Sequence, residues 1–121
     1  MRVRPAEPAD ELAVRRVLDA AMLDVSLPAL DAGFVFVAEA ESRVLGALVC
    51  APHERGGGVH IDAVAVRRSR RDAGIGTRLV ERVRETYGRV TADCRPGVAP
   101  FYESLGFRVF EIEGRAYAVS P

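Results

Sequence analysis

The run Val59-His60-Ile61-Asp62-Ala63-Val64-Ala65-Val66 leads through Arg71-Asp72-Ala73-Gly74-Ile75-Gly76 into the segment Thr77 to Tyr87. The first stretch has the apolar content of a buried strand. The last puts Leu79, Val80, Val83 and Tyr87 on one helical face. A strand, a glycine turn and a helix, followed by a further strand at Arg89 to Cys94, make a β-α-β unit, which commits the chain to an α/β architecture. A glycine-bearing turn entering a helix exposes backbone N–H groups that lack an intrahelical partner. With the positive end of the helix dipole they form an anion site. Gly74 and Gly76 remove Cβ atoms where a phosphate approaches the backbone. The same glycines also suit a plain strand-to-helix connection, and the turn alone does not choose between these uses.

The rest of the chain places this unit in a sheet. Met1 to Arg4 reads as a short strand. Pro8, Asp10 and Glu11 open a helix that carries Val14, Val17, Leu18, Ala21 and Met22 at helical spacing. A short second helix is expected between Ser26 and Ala32, broken by Pro28 and Gly33. Phe34 to Ala38 and Arg43 to Ala51 read as strands joined by a tight turn at Glu39 to Ser42. Pro52 to Gly58 is a glycine-rich hairpin tip, and Gly88 caps the helix before the strand ending at Cys94. Ala99 to Ser104 is a helix of one to two turns. Phe107 to Ile112 and Arg115 to Val119 close the chain as a hairpin over Glu113-Gly114. The expected fold is one α/β (α+β mixed sheet) domain over residues 1–121. It has a twisted, mostly antiparallel sheet, a central β-α-β unit and helices on both faces.

A second motif lies downstream, Ala99-Pro100-Phe101-Tyr102-Glu103-Ser104-Leu105-Gly106-Phe107. Together the two motifs resemble the GNAT superfamily of acyl-CoA-dependent N-acyltransferases. Arg71, Gly74 and Gly76 match its Q/R-x-x-G-x-G/A pattern after the fourth strand. Tyr102 with Leu105-Gly106-Phe107 matches its tyrosine-bearing short helix. The resemblance is strong from Ile61 to Phe107 and loose before that. One departure is that Arg95-Pro96-Gly97-Val98 stands where many members carry an asparagine.

The resemblance implies acetyl-CoA (CoA) as cofactor and a primary amine as acceptor. The pyrophosphate would rest on the N–H groups of Asp72, Ala73, Gly74, Ile75, Gly76 and Thr77, with Arg71 adding a charge-assisted contact. One of Arg67, Arg68 and Arg70 would reach the 3′-phosphate, although such a cluster also suits a solvated loop. The pantetheine arm would add to the backbone of Val64, Ala65 and Val66 like an extra strand. That requires the fourth and fifth strands to splay, and a bulge near Ala63 to Ala65 would splay them.

Tyr102 is the candidate general acid for the departing thiolate, against a reading in which it only packs with Phe101 and Phe107. Strand alternation places His60, Asp62, Val64 and Val66 on one face. His60 is then the first candidate base, with an ordinary imidazole pKa of ~6.5. Asp62 is the second and Asp93 the third, and a reaction without a dedicated base is the fourth possibility.

Composition narrows the partners. The 17 basic residues balance the 17 acidic ones, which removes bulk charge as a route to nucleic acid. All the basic residues are arginine, so the chain has no lysine of its own to acetylate. No apolar run has the ~18 residues of a membrane helix, and Pro5, Glu7, Pro8, Asp10 and Glu11 interrupt any signal pattern. A cytoplasmic enzyme is expected, monomer or homodimer, with no membrane partner. Cys50 and Cys94 read as small buried hydrophobes, and His53 and His60 lack metal-ligand spacing. The acceptor is a small-molecule amine or an exposed protein N-terminus. The alternative function is a degenerate fold of the same family that binds acyl-CoA or a partner without catalysis. A nucleotide-binding α/β protein of another class is disfavoured: Thr77-Arg78 replaces the Lys-Ser/Thr of a phosphate loop, and the three-glycine dinucleotide pattern is missing.

Overall fold

The computed structural model describes residues 1–71 and 73–121. In chain order the elements are β1 (Arg2–Pro5), α1 (Glu11–Ala20), β2 (Val35–Ala40), β3 (Arg43–Pro52), β4 (Val59–Val66), α2 (Ile75–Tyr87), β5 (Val90–Cys94), α3 (Ala99–Ser104), β6 (Arg108–Ile112) and β7 (Arg115–Val119). The seven strands form one sheet in the order β1-β2-β3-β4-β5-β7-β6. Every pairing is antiparallel except β4 with β5, whose connection is α2. The mixed sheet and its central β-α-β unit are those read from the sequence.

Helices cover both faces. Val14, Val17 and Leu18 of α1 pack on Val35, Val37, Val49 and Ala63. On the other face Leu79, Val80 and Val83 of α2, with Tyr102 of α3, pack on Phe36, Leu48, Ile61 and Val90. A 3₁₀ turn, Pro8–Asp10, leads into the first helix, with a capping box between Glu7 and Asp10 and Pro8 at the turn's start. It ends earlier than its apolar spacing suggests, and Met22 turns out to solvent at 84% exposure. The segment expected as a short second helix holds only a single 3₁₀ turn, Leu30–Ala32, and Gly33 closes it in the left-handed region. With Pro28 close by, the segment is too short to nucleate an α-helix.

Two junctions position the site. The first is Gly58, at φ +79°, where a Cβ would lie 2.2 Å from the Arg89 carbonyl oxygen. Only glycine lets the start of β4 come close enough for the Val59 N–H to donate to Arg89, 2.9 Å away. The second is a bulge. Val49 pairs with Ala63 but Cys50 pairs with Ile61, so Asp62 is the extra residue on β4.

The bulge lies just before the expected range of Ala63 to Ala65, and it changes the faces. Ile61 faces α2, whereas Ala63 and Ala65 face α1. His60 therefore lies on the α1 face and Val64 and Val66 on the α2 face. The single-face alignment of His60, Asp62, Val64 and Val66 does not hold, because one unpaired residue reverses the alternation beyond it.

Candidate active site

Strand β4 pairs with β5 only from Val59 to Ile61, opposite Val90 to Ala92. Beyond the bulge the two strands part, as the sequence reading requires, and Asp62 to Val66 line an opening. The Arg67 N–H donates to the Leu45 carbonyl at 2.8 Å, and the register pairs Val66 with Gly46 and Val64 with Leu48. Antiparallel alternation then points the N–H and C=O groups of Ala63 and Ala65 toward β3, and those of Val64 and Val66 into the opening. The opening carries unclaimed strand-type donors and acceptors.

A cavity of about 770 Å³ fills this gap. Its walls include Val64, Ala65, Val66, Arg71, Gly74, Ile75, Gly76 and Thr77, along with Asp62, Asp93 and Tyr102. Ala73 is in the turn without lining the cavity, and Asp72 lies outside the described residues.

The phosphate end is built by the turn. Gly74 caps α2 at φ +77°, and a Cβ placed there would meet nothing within 4 Å. Among the described residues, no side chain caps this helix. The first intrahelical bond is from the Arg78 N–H to the Gly74 carbonyl, which leaves the N–H groups of Ile75, Gly76 and Thr77 for an anion. Of the three neighbouring arginines, only Arg70 joins Arg71 in the wall. The Arg67 Nε donates to the Val44 carbonyl at 2.8 Å, so that side chain braces the loop.

Tyr102 is 4% exposed, with its ring against Phe101 and Phe107. It both packs and faces the cavity. Burial pushes its hydroxyl pKa well above the ordinary value, with Cys94 and Asp93 adding in the same direction. It stays protonated across the neutral range.

The two carboxylates differ. Asp62 projects from the bulge and remains partly open to the cavity. Loss of water pushes its pKa up, His60 pulls it down and Asp93 pushes it up, and the net direction is upward. Asp93 is raised by burial, but hydrogen bonds from Arg115 and His60 outweigh this and hold it below the usual carboxylate range. When two nearby acids are shifted apart, the raised one is the better proton acceptor.

His60 does not line the cavity. Its Nε2 lies 2.8 Å from Asp93 Oδ1 and its Nδ1 lies 2.8 Å from Thr91 Oγ1, so both ring nitrogens are engaged. Thr91 Oγ1 is also 3.0 Å from His53 Nε2. Arg115 donates to the other oxygen of Asp93. The parallel register sets His60 beside Thr91, and Thr91 and Asp93 share a face at strand spacing.

Sequence reasoning did not single out Thr91, Arg115, Cys94 or Phe101 as wall or network residues, nor connect His53 to His60. The visible signal was the alternation of Thr91 and Asp93 with Val90 and Ala92.

The acetyltransferase (GNAT) domain family matches residues 31–109, well over half of the chain. No curated protein sequence matches it. Among solved structures, N-acetylglutamate synthase from Neisseria gonorrhoeae, in complex with coenzyme A and L-arginine, superposes with a TM-score of 0.81 at 16% identity. That match covers 98% of this chain and 32% of the synthase, so the chain spans about a third of that protein. Rv2747 from Mycobacterium tuberculosis, in complex with CoA, superposes at 0.79 with 17% identity over 99% of this chain and 98% of its own. Ard1 from Thermoplasma volcanium does so at 0.76 with 21% identity over 98% and 94%.

Proposed function

The chain belongs to the GNAT acetyltransferase family, and on that premise we propose that it transfers an acetyl group from acetyl-CoA to a primary amine by direct attack in a ternary complex. The observation that carries the proposal is the continuity of the cavity. It joins the start of α2 to Tyr102, Asp62 and Asp93 through the parted strands. Solved neighbours in complex with CoA support the choice of ligand. The residues fit that ligand. The N–H groups of Ile75, Gly76 and Thr77, with Arg71 and Arg70, would hold its phosphates, and the Val64 and Val66 backbone would hold its amide arm. When bound, acetyl-CoA supplies a thioester. The location that goes with this chemistry is the cytoplasm, and the acceptor is a small amine or a protein N-terminus.

Asp62 is the proposed base. An ammonium acceptor must lose one proton before its nitrogen can attack, and the raised carboxyl faces the cavity to take it, directly or through water. Tyr102 would give its proton to the departing sulfur. A base with a raised pKa works above that pKa and is lost as pH falls through it. Asp62→Asn is therefore expected to lower turnover about 10- to 100-fold and to change the acid limb of kcat/KM. His60→Gln is expected to keep that limb and, with the pull of His60 gone, to shift it to higher pH. A pH–rate profile of each variant with one amine checks this.

The overall reading is tested by titrating CoA into the protein calorimetrically and screening amines for thiol release. Binding heat with release by an amine supports it. Binding heat without release from any amine would mark a binding module, and no heat at millimolar CoA would overturn the reading.

A further inference from the structure

With both imidazoles neutral, the hydrogen bonds around His60 take one orientation. A charged carboxylate only accepts, so His60 Nε2–H donates to Asp93. A neutral imidazole then accepts at Nδ1, so the Thr91 hydroxyl donates to His60. That leaves the Thr91 oxygen to accept from His53 Nε2–H. In that state every donor along the chain His53, Thr91, His60 points toward one carboxylate, and Arg115 donates to that carboxylate from the other side.

Bonds aligned head to tail polarise one another. Asp93 is thus charged, fixed in orientation and set in the cavity wall. The chain lies where β4 and β5 stop pairing, and it crosses from the half-buried loop residue His53 to the wall. A network serving only to hold the strands together has no need to end on a carboxylate that faces a cavity.

We propose that Asp93 is the docking group for the acceptor's positively charged amine, and that His53, Thr91 and His60 are positioning residues that fix its carboxylate. This rests on the acetyltransferase reading and adds the acceptor's chemistry to it: the acceptor arrives as a cation. Asp93 holds an N–H of the ammonium through lone pairs that His60 and Arg115 leave over. Asp62, on the neighbouring strand, removes one proton. The positioning is indirect, because His60 and Thr91 do not line the cavity.

The test uses the dead-end complex of the full chain with CoA, so it needs no turnover. The probe is n-butylammonium, added while the side-chain carboxyl resonance of Asp93 and the ring nitrogens of His60 are followed by NMR. In wild type the amine is expected to shift the Asp93 carboxyl, and neutral His60 is expected to be the Nε2–H tautomer. Thr91→Val keeps the side-chain shape and removes the hydroxyl. It is expected to weaken amine binding about tenfold, roughly one charge-assisted hydrogen bond, and to release the tautomer, with CoA affinity unchanged. Thr91→Ser is expected to restore both, and serves if the valine variant does not fold. Wild-type protein whose Asp93 resonance ignores the amine at high millimolar concentration would overturn the proposal. So would a valine variant that binds it as wild type does. Failure of CoA itself to bind would instead overturn the underlying function.

Discussion

Replacing Gly74 with glutamate is expected to abolish CoA binding. The open space above Gly74 is the approach to the N–H groups of Ile75, Gly76 and Thr77, which have no intrahelical partner. A carboxylate about 4 Å from a phosphate is opposed by ~4 kcal/mol at an effective dielectric near 20, about a thousandfold in affinity. Gly74 also sits at φ +77°, so a side chain there carries backbone strain whatever its charge. Gly74→Asn separates the two effects, because asparagine tolerates that region and brings no charge. The asparagine variant is expected to bind within about tenfold of wild type, while the glutamate variant gives no measurable heat by isothermal titration. Equal binding by both would move the phosphate site away from this turn.

Tyr102→Phe is expected to lower turnover roughly 10- to 1000-fold while leaving CoA affinity nearly unchanged, the pattern for a lost proton donor. The ring that packs between Phe101 and Phe107 is kept, so the melting temperature should hold. Because burial holds the hydroxyl pKa high, Tyr102 remains a donor well past neutrality. No alkaline limb in the wild-type profile should trace to it. Steady-state kinetics with one amine, alongside calorimetry with CoA, checks all three points. Unchanged turnover would leave Tyr102 a packing residue.

The β-α-β unit was legible because its period switches from two to helical spacing across a glycine turn, and both motifs lie on it. The bulge was not legible. Val59, Ile61, Ala63 and Ala65 are all buried and alternate with less buried neighbours without interruption. A central strand covered on both faces puts apolar residues on either side, so a reversal of face leaves no trace in hydropathy. The Asp62–His60–Asp93 arrangement was hidden for a related reason. His60, Asp62 and Asp93 could be named as carriers of the proton chemistry from their types and strand positions. Dividing the roles among them needed the parallel register of β4 on β5, which no local pattern encodes. The second helix failed because its apolar residues, Leu27 and Leu30, fit a loop that packs on the sheet as well as a helix.

The extra residue at Asp62 makes β4 two half-strands in opposite phase. The stretch before it turns His60 to the α1 side, and the stretch after it offers the Val64 and Val66 backbone to the gap. Substitutions on one side of the step do not propagate as a change of face on the other. A lineage can therefore vary the acceptor-facing chemistry at Asp93, and the His60 and Thr91 side chains behind it, while the main-chain groups that receive the common donor stay unaltered. A deletion that erased the step would instead rotate one half against the other and lose both sites together. The fold thus separates what is free to diverge from what must stay constant, at the position of a single residue.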